Sequence, residues 1–499
     1  MMPKRINFLA TLLCTILLCI TICTPSLADE VSVNTEPLSV TSIQDNGILY
    51  SQNESTGELT VIGFESGVRD VTIPENIDGD PVVAIGEKAF YQCKTLRSIN
   101  LPTSIRTIGK YAFYECSNLA TVRLAEGLTA IHDYAFVSCT SMTQINFPNS
   151  LVYIGPWAFF DCVSLTFLQL PSALEEIGNY AFYYCIKLRT IAFPPSLTTI
   201  GSGAFSTCHV LNHITWPSHI TTVNDHMFYN CISLSDIRFP EGVHTIAENV
   251  LHGCRSLRVL ILPDSISLFC KDEYDDGITR TLMAHPGTYV ESMANQRGIP
   301  FIPLLDLPFV DVTSNDWFYN AANFVYTQGL MQGSSSTDFS PNMVLSRAQF
   351  ATILHRIDGT PAVPPCSNFP DVAENSWYTT AVHWASNYGI ITGYPNGLFG
   401  TNDPITREQM AVILYRYIKN VLLLNGYEFT SLDIYQDHSQ VSDYAEQAMA
   451  WAVACGIISG KASAQGVLLD PLGQTTRAEC AAIIMRFMNY CYANSVMVP

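Results

Sequence analysis

The sequence predicts an α+β multidomain chain: a solenoid of 23-residue coils followed by an all-α assembly of three modules. Three observations carry this. Eight cysteines, Cys93, Cys116, Cys139, Cys162, Cys185, Cys208, Cys231 and Cys254, each follow the last by 23 residues. A fixed period of this length is the signature of stacked coils that share one core. Past residue 303 the beat changes, and Asp311/Asp371, Trp317/Trp377 and Arg347/Arg407 are each 60 residues apart. Finally, Ser346, Thr406 and Thr476 each precede Gln349, Gln409 and Glu479 by three residues, the capping-box spacing of a helix start.

Taken in order, residues 1–28 read as a cleaved export signal. Lys4 and Arg5 lead an apolar run from Phe8 to Cys23, and Ser26-Leu27-Ala28 offers small residues at a cleavage site. Ile20-Thr21-Ile22-Cys23 is a poor lipoprotein box, because the residue before Cys is bulky. Residues 29–64 read as cap strands, with Ile48 to Phe64 folding back at Ser55-Thr56-Gly57.

Residues 65–303 form the solenoid. In each coil a short strand (Ile99 and Leu101, then Val122 and Leu124, and onward to Leu260 and Leu262) is usually closed by Pro, as at 102, 148 and 171. A second extended segment carries Ile108 and its equivalents. Ala112-Phe113 is then expected as a tight helical turn leading to Cys116. The first coil has five extra residues, with Asp78-Gly79-Asp80-Pro81 as a hairpin loop, and Tyr289 to Pro303 reads as a helix and strand covering the last coil. Equivalent cysteines point the same way, so their Cβ vectors run parallel, which is poor bridging geometry. The ladder reads as buried thiols, where a serine would have no assured partner. One Cys per coil in a line is no tetrahedral metal set. Late-coil histidines such as His209 and His213 lack ligand geometry, so no metal or cofactor is expected. Aromatics at Tyr91, Tyr114, Phe160, Tyr183 and Tyr229 form a second stripe, which packing on the next coil explains better than binding.

The C-terminal third divides into 305–362, 363–425 and 431–494. Each module has two amphipathic helices, the first ended by Gly329, Gly389 or Gly456. Arg347, Arg407 and Arg477 fall in the first turn of the second helix, where unpaired N–H groups and the dipole favour an anion. Tyr444 replaces the module-three Trp. Only Pro300 to Pro308 intervenes between solenoid and modules, so limited relative freedom is expected.

The pattern LP..L..IG..AF..C..L..I, kept over about 240 residues, resembles the BspA-like branch of the leucine-rich repeats. That resemblance implies a surface protein that adheres to host, matrix or bacterial partners. The three later segments resemble S-layer homology (SLH) modules, which implies a three-pronged helical assembly anchored non-covalently to secondary cell-wall polysaccharide. In that family the polymer is anionic and often pyruvylated. Carried over, Arg347, Arg407 and Arg477 would pair with the ketal carboxylate, Trp317 and Trp377 would lie against sugar, and Asp311, Asp371 and Asp437 match the early acidic position. For the Asp residues a capping role is an equal alternative, and for the Arg residues a surface salt bridge is the alternative. The Gly-bounded turns would let sugar approach.

Charge narrows the partners. The chain has 25 Lys+Arg against 44 Asp+Glu, a net of −19, or −21 once Lys4 and Arg5 are removed. A basic face for nucleic acid is therefore not expected, nor is membrane insertion past the signal. The reading is an exported, cell-wall-anchored display and adhesion protein, S-layer-associated, whose solenoid binds a protein partner that the sequence does not identify. The alternative is a structural envelope component without a specific ligand. A surface glycan hydrolase ranks last: Glu175 and Glu176 are strand neighbours facing opposite ways, unlike a glycosidase pair, and nucleophile-elbow, HExxH and P-loop motifs do not occur.

Overall fold

The computed structural model describes residues 42–270, 277–365, 369–425, 427–463 and 466–494. The expected export signal, and residues 29–41 of the expected cap, lie outside them. In the solenoid, two-residue strands such as Thr107–Ile108, Ala130–Ile131 and Tyr153–Ile154 pair in parallel at a 23-residue offset, Ile131 opposite Ile154. Three-residue strands, from Asp70–Thr72 to Asp236–Arg238, form a parallel eight-stranded sheet on another side of the coil. The antiparallel pair Ile48–Gln52 and Leu59–Phe64 caps the first coil. The extra residues of that coil form the hairpin Asn76–Ile77/Asp80–Ile85, with Asp78 and Gly79 at positive φ in its turn.

The core between the strands is a stack of identical side chains. Phe90, Phe113, Phe136, Phe159, Phe182 and Phe205 lie with ring centroids 4.9–5.5 Å apart and near-parallel planes, and Phe64 closes the stack at 5.7 Å. Each phenylalanine follows a buried alanine, small enough for coils to approach closely. The eight ladder cysteines are buried. From Cys116 on, each Sγ donates to the carbonyl of the Phe in the preceding coil, as in Cys116 to Phe90 at 3.0 Å and Cys162 to Phe136 at 3.2 Å. The thiols thus have a polar partner that periodicity alone does not reveal. Burial pushes the Cys116 thiol up to about 12 and Cys162 higher still, so these two thiols stay protonated and unreactive.

The Ala112-Phe113 segment differs from expectation: it is a run of hydrogen-bonded turns, not helix. Tyr111 and Glu115 adopt φ of 58° and 54°, which breaks helical geometry. Ala112 N–H bonds back to Gly109, but Phe113 N–H donates across to Ala135 of the next coil at 2.7 Å. The backbone therefore ties coils together here as well as in the strands.

The last coil is closed by strands Val259–Ile261, Thr281–Ala284 and Phe301–Pro303, with helix α1 (Tyr289–Arg297) laying Val290, Met293 and Ala294 on the core. Six further helices build the modules: α2 (Tyr319–Thr327), α3 (Arg347–Ile357), α4 (Thr379–Asn387), α5 (Arg407–Asn420), α6 (Glu446–Ala454) and α7 (Arg477–Ala493). Capping boxes start α3, α5 and α7. Module three adds a hairpin, Lys461–Ser463 with Gly466–Leu468. The helices of one module do not pack mainly on each other. The contacts run α3 with α4, α5 with α6, and α7 with α2, so each module completes the next in a ring. At its centre Leu345 N–H bonds Thr475 O, Thr475 N–H bonds Ile405 O and Ile405 N–H bonds Leu345 O, at 2.9–3.0 Å.

The ring is docked on the solenoid. Asn489 of α7 accepts from the backbone N–H of Arg258 and Val259 (3.0 and 2.7 Å) and donates to Ser235 O (3.0 Å). Arg486 Nε pairs with Asp236 at 3.0 Å, and His213 Nδ1 meets the same carboxylate oxygen at 2.8 Å. Burial alone would raise the Asp236 pKa, but His213 and Arg486 hold it well below the usual carboxylate range. Val259, Ile261 and Met283 join the apolar core of the modules. The strand face is thus covered over the last coils, which accounts for apolar Val259 and Ile261 at outward positions.

Candidate functional site

The recurring Asp and Arg of the modules converge on one peptide group in each. Asp371 accepts from the N–H of Phe399, Gly400 and Thr401 at 2.8, 2.8 and 3.2 Å, while Arg347 Nε of the preceding module donates to Phe399 O at 3.0 Å. Asp437 holds Leu469 and Asp470 N–H, both at 2.7 Å, and Arg407 Nε donates to Leu469 O at 2.8 Å. Asp311 holds Phe339 and Ser340 N–H at 2.8 and 2.7 Å, and Arg477 Nε donates to Phe339 O at 2.7 Å, closing the ring from module three to module one. The aspartates therefore fix the loop whose carbonyl the neighbouring arginine reads. Burial would raise the Asp371 pKa, but its three N–H donors hold it below the ordinary value.

All three arginines are buried. Burial lowers their pKa, yet a guanidinium stays charged at any physiological pH. Their surroundings differ. Arg407 spends Nη2 on Ser459 O at 2.8 Å, and Arg477 spends Nη2 on Gln332 O at 2.5 Å. Arg347 has no such bond among the described residues: its guanidinium lies 4.5 Å from the centroid of the Tyr394 ring, with Asp403 and Tyr444 in its electrostatic field. At the position of Tyr394, module three carries Lys461, which pairs with Asp470 and Glu479 at 2.7 Å each and so neutralises that groove internally. Arg347 thus keeps both terminal nitrogens unspent among the described residues.

Two sequence expectations are corrected by this geometry. The first-turn N–H groups of the second helices do not wait for an anion. Arg347, Arg407 and Arg477 N–H donate to Asp403, Gly473 and Met343 carbonyls, and Ala348, Glu408 and Ala478 N–H donate to Thr401, Pro471 and Pro341. The second glycine of each turn lies against an aromatic ring of its own module: a Cβ on Gly333, Gly393 or Gly460 would fall 2.5, 2.4 or 2.7 Å from Phe309, Phe369 or Tyr435. Nor, among the described residues, is any of the three buried arginines in a surface salt bridge.

Trp317 and Trp377 are 52% and 64% exposed, and Tyr444, their counterpart in module three, 58%. Each tryptophan is braced edge-on by the next residue, Phe318 at 5.6 Å and Tyr378 at 5.1 Å. Tyr444 is instead tied by its hydroxyl to Glu408 Oε1 at 2.7 Å. Tyr394, which faces Arg347, was not among the residues singled out from the sequence; it has no counterpart in the other modules, and the 52-residue separation of Arg347 from Phe399 gives no local signal.

Comparison with known proteins assigns both regions. Residues 65–185 and 154–276 match the BspA-type leucine-rich repeat region in six copies, and residues 308–351 and 368–411 match the S-layer homology domain. The third module lies beyond the matched residues. The chain is 32% identical over 180 residues to an endoglucanase of Bacillus sp. (strain KSM-635), covering 36% of this chain and 18% of that protein. It is 28% identical over 179 residues to the S-layer protein sap of Bacillus anthracis, covering 36% of this chain and 21% of that protein. The chain thus spans about a fifth of the length of these relatives. Among solved structures it is similar to a leucine-rich repeat protein from Bacteroides ovatus, with 25% identity, TM-score 0.44, and coverage of 53% of this chain and 67% of that one. The two domain types place it among cell-surface, S-layer-associated proteins. Among the described residues no helix is long and apolar enough to cross a membrane.

Proposed function

We propose that this protein is a wall-anchored display protein: its module ring holds an anionic secondary cell-wall polysaccharide non-covalently, and its solenoid presents a surface to a protein partner. The observation that carries the anchor reading is Arg347, a buried guanidinium with terminal nitrogens left over, set beside Tyr394. A carboxylate on the polymer, such as a pyruvyl ketal, supplies the matching charge-assisted acceptor. Trp317 and Trp377 offer exposed ring faces for sugar. In this reading Arg407 and Arg477 chiefly close the ring, and Asp311, Asp371 and Asp437 position the loops. The third module is taken as the same kind of unit, because it repeats the capping box and the Asp–Arg bracket. The chain is read as non-enzymatic, with its similarity to the endoglucanase belonging to shared anchoring modules. The test is co-sedimentation of the full chain with purified cell walls. Binding is expected to native walls and to be lost once secondary polymer is stripped; equal binding to stripped walls contradicts the reading.

A further inference from the structure

Two exceptions to the module pattern meet in space. The exposed aromatic position holds Trp317, Trp377 and Tyr444, and the residue after each second-helix arginine is Ala348, Glu408 and Ala478. Tyr444 and Glu408 belong to different modules. Yet the buried Glu408 carboxylate accepts from the Tyr444 hydroxyl at 2.7 Å, from Ser442 Oγ at 2.8 Å and from Ser442 N–H at 3.0 Å. A buried carboxylate is costly unless it is hydrogen-bonded, and these donors all come from one stretch of module three. The charge also sits in the first turn of α5, where the helix dipole favours an anion. Alanine at 348 or 478 offers no such acceptor. Trp317 and Trp377 are braced by the aromatic residue that follows each; Tyr444 is followed by Ala445 and has this clasp instead.

The clasp sets Tyr444 at the Arg347 groove. The first turn of α5 holds both phenols there: Glu408 takes Tyr444, and Gln409, the next residue, lies beside the Tyr394 hydroxyl together with Asp403. The Arg347 guanidinium stands 4.5 Å from the Tyr394 centroid. Burial and the Glu408 carboxylate push the Tyr444 hydroxyl well above the ordinary phenol value, so it stays a neutral donor. Arg347 and Tyr394 both lie within its electrostatic reach. The Tyr444 side chain remains exposed. Module one thus brings the guanidinium, module two one ring and module three another.

We propose that Tyr444 is the sugar-contacting aromatic of the Arg347 groove, and that Glu408 is a positioning residue that acts through it. Arg347 takes the carboxylate, and the Tyr444 ring lies against the sugar that carries it. Tyrosine suits this place, because one end of the ring is tied by its hydroxyl while the apolar face stays free for the C–H face of a sugar. The third module therefore works in the groove of the first two, and the site is complete only when the ring is closed. Losing the clasp should cost sugar recognition and leave charge recognition in place. The proposal rests on the reading of the Arg347 groove as the polymer site, and goes beyond it in naming the residues that read the sugar.

The test uses two soluble competitors against binding of the full chain to native cell walls. One is a methyl glucoside bearing a pyruvyl ketal; the other is the dimethyl ketal of pyruvate, the same carboxylate without the sugar. For the parent, the sugar-bearing ketal should inhibit at about tenfold lower concentration than the sugar-free one. Tyr444→Leu should abolish that preference and keep inhibition by the sugar-free ketal, whereas Arg347→Gln should weaken inhibition by both. Glu408→Ala and Tyr444→Phe should each cut the preference about threefold, and the double variant no further, because the same hydrogen bond is lost in all. No preference in the parent, or one that Tyr444→Leu leaves unchanged, overturns the proposal. Equal loss of both competitors in Tyr444→Leu also overturns it, by assigning Tyr444 to structure, and additive losses in the double variant overturn the role of Glu408. If Tyr444→Leu melts early, Tyr444→Phe decides, and an undiminished preference there overturns the proposal. Failure of both competitors against the parent overturns this proposal and the groove reading together; inhibition that needs Arg347 but not Tyr444 overturns this proposal alone.

Discussion

In the solenoid each coil completes its core with a neighbour 23 residues away; in the module ring each arginine reaches 52, 62 or 138 residues to complete the next module. Both regions are repeats that cannot bury their own apolar face. The solenoid stacks by translation, so it needs a cap at each end and tolerates coil-by-coil variation. The ring closes by rotation, so it needs no cap, but each buried charge in it serves two modules at once. Disruption should therefore stay local in the solenoid and spread in the ring.

The largest effect is expected where the two regions meet. Arg486→Ala leaves the Asp236 carboxylate buried with only His213, and should destabilise by about 3–5 kcal/mol. Chemical denaturation of the full chain checks it, and a loss under about 1 kcal/mol would mean that Asp236 is hydrated. The folded pKa of Asp236 is depressed, so its stabilising effect is fully present above the unfolded value near about 4 and is lost as pH falls below it. Docking should accordingly be level from about pH 5 to 8 with respect to this carboxylate and weaken only in stronger acid.

Within the ring, Arg407→Ala removes two charge-assisted bonds to Leu469 and Ser459 carbonyls, and about 3 kcal/mol should be lost. Hydrogen exchange should rise in modules two and three together while the first coils stay protected; a response confined to α5 would contradict cyclic closure. In the solenoid, Cys162→Ala should cost about 1–2 kcal/mol, through a small void and one lost S–H donor, with exchange altered only in adjacent coils. Cys162→Ser should cost no more than alanine, since its hydroxyl inherits the Phe136 carbonyl; a clearly larger loss would show that the hydroxyl cannot reach it. The smallest effect is a gain. Thr475 replaces the apolar Leu345 and Ile405 at the ring centre, and its buried hydroxyl has no hydrogen-bond partner among the described residues. Thr475→Val should stabilise by about 1 kcal/mol in a thermal melt, and a lowered melting temperature would assign that hydroxyl a partner.

The same contrast explains what was legible in the sequence. Translation writes itself into a single chain: Phe113, Cys116 and Ile108 recur at one period, so the stack, the strands and the buried thiols follow from spacing. The left-handed turn at Tyr111 does not, because only the backbone shows why Ala112-Phe113 fails to be helix. Rotation is less visible. The capping boxes at Ser346, Thr406 and Thr476 are local and were readable, and they placed the arginines in the first helical turn. That these arginines point inward to Phe399, Leu469 and Phe339, and that Arg347 alone of the three has both terminal nitrogens unspent among the described residues, depends on contacts between modules. The docking of Asn489 on Val259 is likewise long-range, although apolar Val259 and Ile261 at outward strand positions are its trace in the sequence.

The anchor account stands most directly on a thermodynamic cycle between Arg347 and the polymer carboxylate. Binding isotherms of the parent and of Arg347→Gln would be measured on native cell walls and on walls whose pyruvyl ketals have been removed by mild acid. The account predicts that the substitution weakens binding to native walls by about 1.5–3 kcal/mol, that ketal removal weakens the parent by a similar amount, and that the substitution then changes little on ketal-free walls. A substitution that weakens binding equally on both kinds of wall would contradict it, because Arg347 would then be holding the ring together rather than the polymer.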